Sequence, residues 1–313
     1  MASSYLIKGS AISKALLLTS VLAFSSASGN QPTTIMASGG RIDVFVSNQT
    51  VALTHEDVMG WVGAAAKSVS TYYGRFPVDH VEVRIITTEG RGVHNGRTFG
   101  SPVPLIRISI GRDTTPAELK DDWTMTHEMV HLAFPSVSEK HHWIEEGIAT
   151  YVEPIARVQS GTLDPGKMWG DVIRDLPQGL PGPGDRGLDV SHTWGRTYWG
   201  GALFCFLADL EIRQKTHNQT GLEDALRGIL AAGGNITQDW PLERALRVGD
   251  EATRTTVLQD LYQKMGEAPM MVDLNRKWQD LGVRRSQNGD VSFSEDAPLA
   301  ALRKAITMAP SLR

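Results

Sequence analysis

The chain has 313 residues, a formal net charge of -4 at pH 7, 41% hydrophobic residues and 21% charged ones. That is the composition of an ordinary globular protein, long enough to bury a sizeable core as one large or two small domains. The small charge imbalance, with no basic run interleaved with aromatics, excludes nucleic acid as an expected partner.

The chain opens with Lys8 and Lys14, the apolar stretch Ala15 to Phe24, and the small residues Ser25-Ser26-Ala27-Ser28. Positive, apolar and small segments in that order predict a secretory signal peptide over 1–27, cleaved after Ala27. The apolar run is roughly half of the ~20 residues a bilayer span needs. No stable membrane span is therefore expected after cleavage, and the mature chain is expected to be secreted or periplasmic. The single cysteine, Cys205, sits in an apolar helical pattern and reads as a buried thiol.

Alternating apolar residues over Ile42 to Val46 predict a strand. Thr54 with Asp57 resembles a helix start, apolar residues then recur at helical spacing to Tyr73, and Gly74 and Pro77 supply the stop. Val81 to Ile86 and Leu105 to Ile110 read as further strands, and the Gly-rich segment Gly90 to Pro104 between them reads as a loop. From Thr115 onward the patterns are helical: 116–134, 139–153, 197–213, 221–232, 255–265 and 298–308. Asn288-Gly289 interrupts them with a hairpin signal. These elements predict an α+β protein: a small N-terminal mixed sheet with a helix, two helices that carry a metal motif, then a mainly helical lobe. The expected boundaries are 1–27 for the signal, 28–160 for the α/β lobe and 161–313 for the helical lobe.

The 116–134 helix has Thr115 as a cap, Pro116 at its first position and Glu118 placed for a capping box. Inside it stands His127-Glu128-Met129-Val130-His131. Residues four apart on a helix project from one face, so the two imidazoles can share a metal ion. Zn2+ is the expected cofactor, because it takes imidazole and carboxylate ligands and leaves a position for water. Glu128 is then the candidate general base. A third ligand must come from elsewhere. The metzincin extension fails, since the position six past His131 is Val137. The 139–153 segment offers Glu146, with Glu145, His141 and His142 as competitors. Neighbours on a helix diverge by about 100°, so only one of Glu145 and Glu146 can face the metal.

Trp143-Ile144-Glu145-Glu146-Gly147-Ile148-Ala149-Thr150-Tyr151-Val152-Glu153 resembles the W-[LI]-x-E-G-x-A-x-Y-x-E setting that follows H-E-x-x-H in the alanyl-aminopeptidase-like branch of the gluzincin metallopeptidases. The resemblance implies a zincin-like fold, peptide hydrolysis and Glu146 as the third metal ligand, although the loop after His131 is shorter than in that pattern. Tyr198-Trp199-Gly200-Gly201-Ala202 resembles the branch's Y-x-x-G-A context, with Gly200 where a lysine is usual. There the resemblance implies that Tyr198 donates a hydrogen bond to the oxyanion; His192, six residues earlier, is a candidate helper. No G-x-M-E-N segment is present, so the resemblance gives no support for exopeptidase action. It also implies that the strand before the metal helix, here Leu105 to Ile110, forms the cleft-lining sheet edge that could take a peptide by strand addition. The expected activity is metal-assisted hydrolysis of a peptide or protein substrate. The alternatives are a catalytically inactive peptidase-like binding protein and a zinc hydrolase of a non-peptide substrate.

Overall fold

Five strands build the sheet that carries the metal helices. The computed structural model of the chain describes residues 31–47 and 52–309; the segment read as a signal peptide lies outside the described residues. Thr33–Ala37 (β1) pairs antiparallel with Gly40–Val46 (β2) across a two-residue turn, Ser38-Gly39, both in the left-handed region at φ 35° and 93°. Such positive φ values match the twist of a tight hairpin. β2 then runs parallel to His80–Thr88 (β3) after a crossover through the helix His55–Tyr73 (α1). α1 starts as its sequence predicts, with a reciprocal Thr54–Asp57 capping box, and stops at Gly74, φ 79°.

Leu105–Gly111 (β5) pairs parallel with β3, and Val93–Phe99 (β4) pairs antiparallel with β5, so the order is β1-β2-β3-β5-β4. The expected loop at 90–104 therefore contains a strand. Its sequence, VHNGRTF, has no apolar alternation because its residues are half-buried or exposed. β5, expected at the sheet edge, is paired on both sides; β4 is the edge. Ile42, Val44, Val81, Val83, Ile85, Ile106, Ile108 and Ile110 are almost wholly buried, in one core with Val58, Val62 and Val69 of α1.

The remainder is helical, as expected for the α+β class. Pro116–Asp121 (α2) and Thr124–His131 (α3) replace the single expected helix 116–134. The break lies at Asp122, whose backbone is extended at ψ 139°. Its carboxylate accepts from the Met125 backbone N–H at 3.1 Å and the Trp61 indole N–H at 3.0 Å, a local alternative to the helical ladder. His142–Ser160 (α4) follows a 3-10 turn at Glu139–His141 and runs through Pro154, where the sequence predicts a stop. A proline inside a helix costs a hydrogen bond. Here Ile155, Ala156 and Val158 beyond it are buried, and that burial outweighs the loss.

Pro165–Asp175 (α5) is capped by Asp164 with Pro165 at the first turn. Then come Gly201–Lys215 (α6), Leu222–Ala231 (α7), Leu242–Thr253 (α8), Val257–Met265 (α9) and Leu274–Leu281 (α10). Val283–Arg285 (β6) and Val291–Phe293 (β7) form the hairpin around Asn288-Gly289, and Ala300–Thr307 (α11) closes the described chain. α5, α8 and α10 have no counterpart among the expected elements. Each nevertheless carries its buried apolar residues at helical spacing, Leu274, Trp278 and Leu281 in α10. The described residues from Pro32 onward form one compact unit. No helix among the described residues is long and apolar enough to cross a membrane.

Candidate metal centre

α3 presents His127 and His131 one turn apart on one face, their ring centroids 5.0 Å apart and nearly perpendicular. The ten-residue connection from Leu132 to His141 returns the chain so that the N-terminal part of α4 brings Glu146 opposite them. Glu146 Oε2 lies 3.2 Å from His127 Nε2 and 3.6 Å from His131 Nε2. One ligand atom from each residue falls within 4.8 Å of the other two, a spacing that could hold a metal ion.

The electrostatics suit that use. Burial would raise the Glu146 carboxyl, but hydrogen bonds to His127 and His142 and the histidine charges hold it well below the usual carboxylate range. Burial, then the His127 charge, pushes His131 down to about 4. An ionised carboxylate and a neutral imidazole are the forms that bind metals. Two imidazoles and one carboxylate are also the donor set of three-ligand zinc sites that leave a coordination position open.

Of the competing ligands, none joins this cluster. Glu145 turns away, accepting from the Val137 backbone N–H and lying beside His142 Nδ1, both at 3.0 Å. His141 is buried against Asp189 at 2.8 Å. His142 Nε2 stands 3.3 Å from Glu146 Oε1, the other oxygen of that carboxylate. It thus contacts the carboxylate of the cluster from outside, where a partner fixes a ligand's orientation. His192 is exposed and outside the cluster.

Glu128 is buried between α3 and the sheet edge. The Thr98 hydroxyl of β4 lies 2.6 Å from Glu128 Oε2 and 2.9 Å from the Glu128 backbone carbonyl. Burial raises the Glu128 carboxyl above its ordinary value, and the Thr98 hydrogen bond opposes that rise. Gly96 of the same strand allows this approach: a Cβ there would sit 2.5 Å from Glu128 Oε1. Gly96 and Thr98 were not legible in the sequence, since their strand carries no periodic signal.

Tyr198 lies in a π-helical turn, Arg196–Gly200, that leads into α6. Such turns bulge a side chain out of helical register. Arg196 fixes the turn from below through Asp185 at 2.8 Å and the Gly179 carbonyl. The Tyr198 ring stacks near His127, centroids 6.4 Å apart, and on Trp194 at 5.5 Å. Burial, together with the nearby Glu146 and Glu128 charges, raises its phenol to about 12, which keeps it protonated as a donor. A cleft of about 710 Å³ opens over these groups, with His94 to Gly100 along one wall and Ile236 beyond.

The fold resembles that of an aminopeptidase N family protein of known structure. Among solved structures the chain is similar to an aminopeptidase N family protein from Idiomarina loihiensis, with a TM-score of 0.59 and 13% identity over 85% of this chain and 52% of that one. Weaker likenesses, at TM-scores of 0.46 and 0.47, are to an M1 zinc metallopeptidase from Deinococcus radiodurans, 13% identical over 78% of this chain and 52% of that one, and to a two-domain M1 zinc metallopeptidase mutant bound to L-arginine, 14% identical over the same shares. The chain spans about half the length of these proteins. No family model and no curated protein matches its sequence.

Proposed function

We propose that this chain is a zinc-dependent metallopeptidase, with His127, His131 and Glu146 as metal ligands, Glu128 as general base and Tyr198 as the oxyanion donor. The observation that carries the reading is the convergence of the three ligand atoms within 4.8 Å beside a buried, hydrogen-bonded Glu128. Zinc supplies Lewis acidity, lowering the pKa of water from about 15.7 to about 7 and polarising a carbonyl. Glu128 takes the proton of the attacking water at its carboxylate and passes it to the departing amine as the C–N bond breaks. Thr98 and Gly96 hold that carboxylate against the cleft. The protonated Tyr198 phenol donates to the carbonyl oxygen as negative charge develops, a contact worth about 3–4 kcal/mol of barrier at comparable donors. β4, the edge strand beside Glu128, offers backbone groups to an extended peptide.

Metal analysis with cleavage of a mixed peptide library, on native chain and Glu128→Gln, tests the reading. Equal zinc in both and turnover only in the native chain, down at least about 100-fold in the variant, is the expected result. Zinc in both with no cleavage by either would give the site to the binding or non-peptide alternatives. Glu146→Ala is expected to lose zinc and Glu145→Ala to keep it. Export rests on the leading segment alone; a mature protein beginning at Ser28 outside the cytoplasm is the expected finding, and an intact Met1 terminus inside it would remove that part.

A further inference from the structure

Behind Tyr198, on the side away from β4, lies a second cavity of about 540 Å³, within the ~300–1,000 Å³ range of small-molecule sites. It meets the metal cleft across four shared residues, Trp123, His127, Trp194 and Tyr198. We propose that this cavity is the specificity pocket of the proposed peptidase and that it takes a large aromatic side chain of the peptide, next to the bond cut.

Three observations carry it. Beside its charged residues the cavity has aromatic and apolar walls: Trp123, Trp194, Trp199, Leu163, Met168 and Val172. Trp123 and Trp194 are 53% and 61% exposed at the mouth, an unusual state for tryptophan unless a partner covers it. Every cation that lines the cavity is already paired, while Asp121 has no ion pair among the described residues and the Asp164 carboxylate caps α5. At the floor Glu153 meets Arg157 at 2.9 Å, and at the rim Lys167 and Arg174 both reach Asp171, at 2.8 and 2.7 Å. An acidic guest would thus find no unpaired cation and lose its hydration. An aromatic ring loses little water there and gains stacking and apolar contact on three indoles. The Thr150 hydroxyl, buried with no hydrogen-bond partner, lets the floor meet either a plain ring or one with a polar tip.

The inference rests on the peptidase reading, so its test reads binding apart from turnover. Zinc-loaded Glu128→Gln protein is titrated calorimetrically with peptides that differ at one position only, carrying Phe, Tyr, Trp, Ala, Lys or Asp. Aromatic peptides are expected to bind at least tenfold more tightly than the Ala, Lys and Asp ones. Val172→Trp, which fills the cavity, is expected to erase that preference and leave the Ala peptide unchanged. Trp194→Ala, at an exposed position whose loss the fold tolerates, is expected to reduce the preference as well. Equal affinity across the series, or preference unaltered in both variants, overturns the pocket. Cleavage by the native chain without aromatic preference would overturn the pocket and keep the peptidase; aromatic-selective binding with no cleavage would do the reverse.

Discussion

Glu128 is positioned by two residues of the sheet edge, and each can be removed separately. Thr98→Val deletes a hydroxyl 2.6 Å from the carboxylate while keeping its shape. Turnover is expected to fall about 10–100-fold with zinc content unchanged, and Thr98→Ser to restore it, since a hydrogen bond to a charged group is worth about 1.5–3 kcal/mol. Steady-state kinetics on the two variants checks this; equal loss in both would leave the hydroxyl without a role. Gly96→Ala puts a methyl 2.5 Å from Glu128 Oε1, so turnover should drop more steeply with zinc retained. On the metal side His142→Ala removes the contact to Glu146 Oε1, and zinc affinity is expected to fall about 10–100-fold, the usual effect of losing a partner to a ligand. Competition with a zinc chelator measures it. At this scale the sequence named His127, Glu128 and His131 through their spacing on one helix, whereas Thr98 and His142 gain their roles only from contacts across the fold.

Helix α4 owes its placement to two glycines. A Cβ on Gly147 would strike the backbone of Gly201, and one on Gly201 would strike the Trp143 carbonyl, so α4 and α6 cross backbone to backbone directly beside Glu146. Gly147→Ala must push the helices apart, at a cost of roughly 1–3 kcal/mol or more. A lower melting temperature together with weaker zinc binding is expected, and thermal denaturation with and without metal reports both. In the sheet, Asp43 of β2 joins three strands: it accepts from Thr34 of β1 at 2.7 Å and meets Arg41 at 2.8 Å and His80 of β3 at 3.0 Å. The Thr34 hydrogen bond, with those of Arg41 and His80, outweighs burial and lowers its carboxyl to about 2. A depressed carboxyl contributes stability above its unfolded value, near 3.8, and loses it as pH falls toward 2. Asp43→Asn should therefore melt below the native chain at pH 6, with the gap closing near pH 2. A gap that persists at pH 2 would assign the effect to packing instead. Two features were hidden for different reasons: β4 lacks alternation because it is an edge with little to bury, and α4 passes Pro154 because the core beyond it holds the helix.

For the whole molecule, the metal ligands come from two helices that the sheet and α6 hold in place, so a bound ion adds stability to the folded form alone. Chelation is expected to lower the melting temperature by several degrees and added zinc to restore it; an unchanged melt would mean that these residues bind no metal. Sequence alone determined the α+β class, the helical character after Thr115 and the H-E-x-x-H motif, because each is written in local periodicity and fixed spacing along one element. It also singled out Glu146 and Tyr198, through a resemblance rather than through spacing. The tertiary structure alone decided that β4 is the edge, that Glu146 Oε2 faces both histidines while Glu145 binds the preceding turn, and that an aromatic cavity opens behind Tyr198. Those facts depend on which residues distant in the chain come to lie within a few ångströms, and that follows from the packing of the whole core rather than from any local pattern.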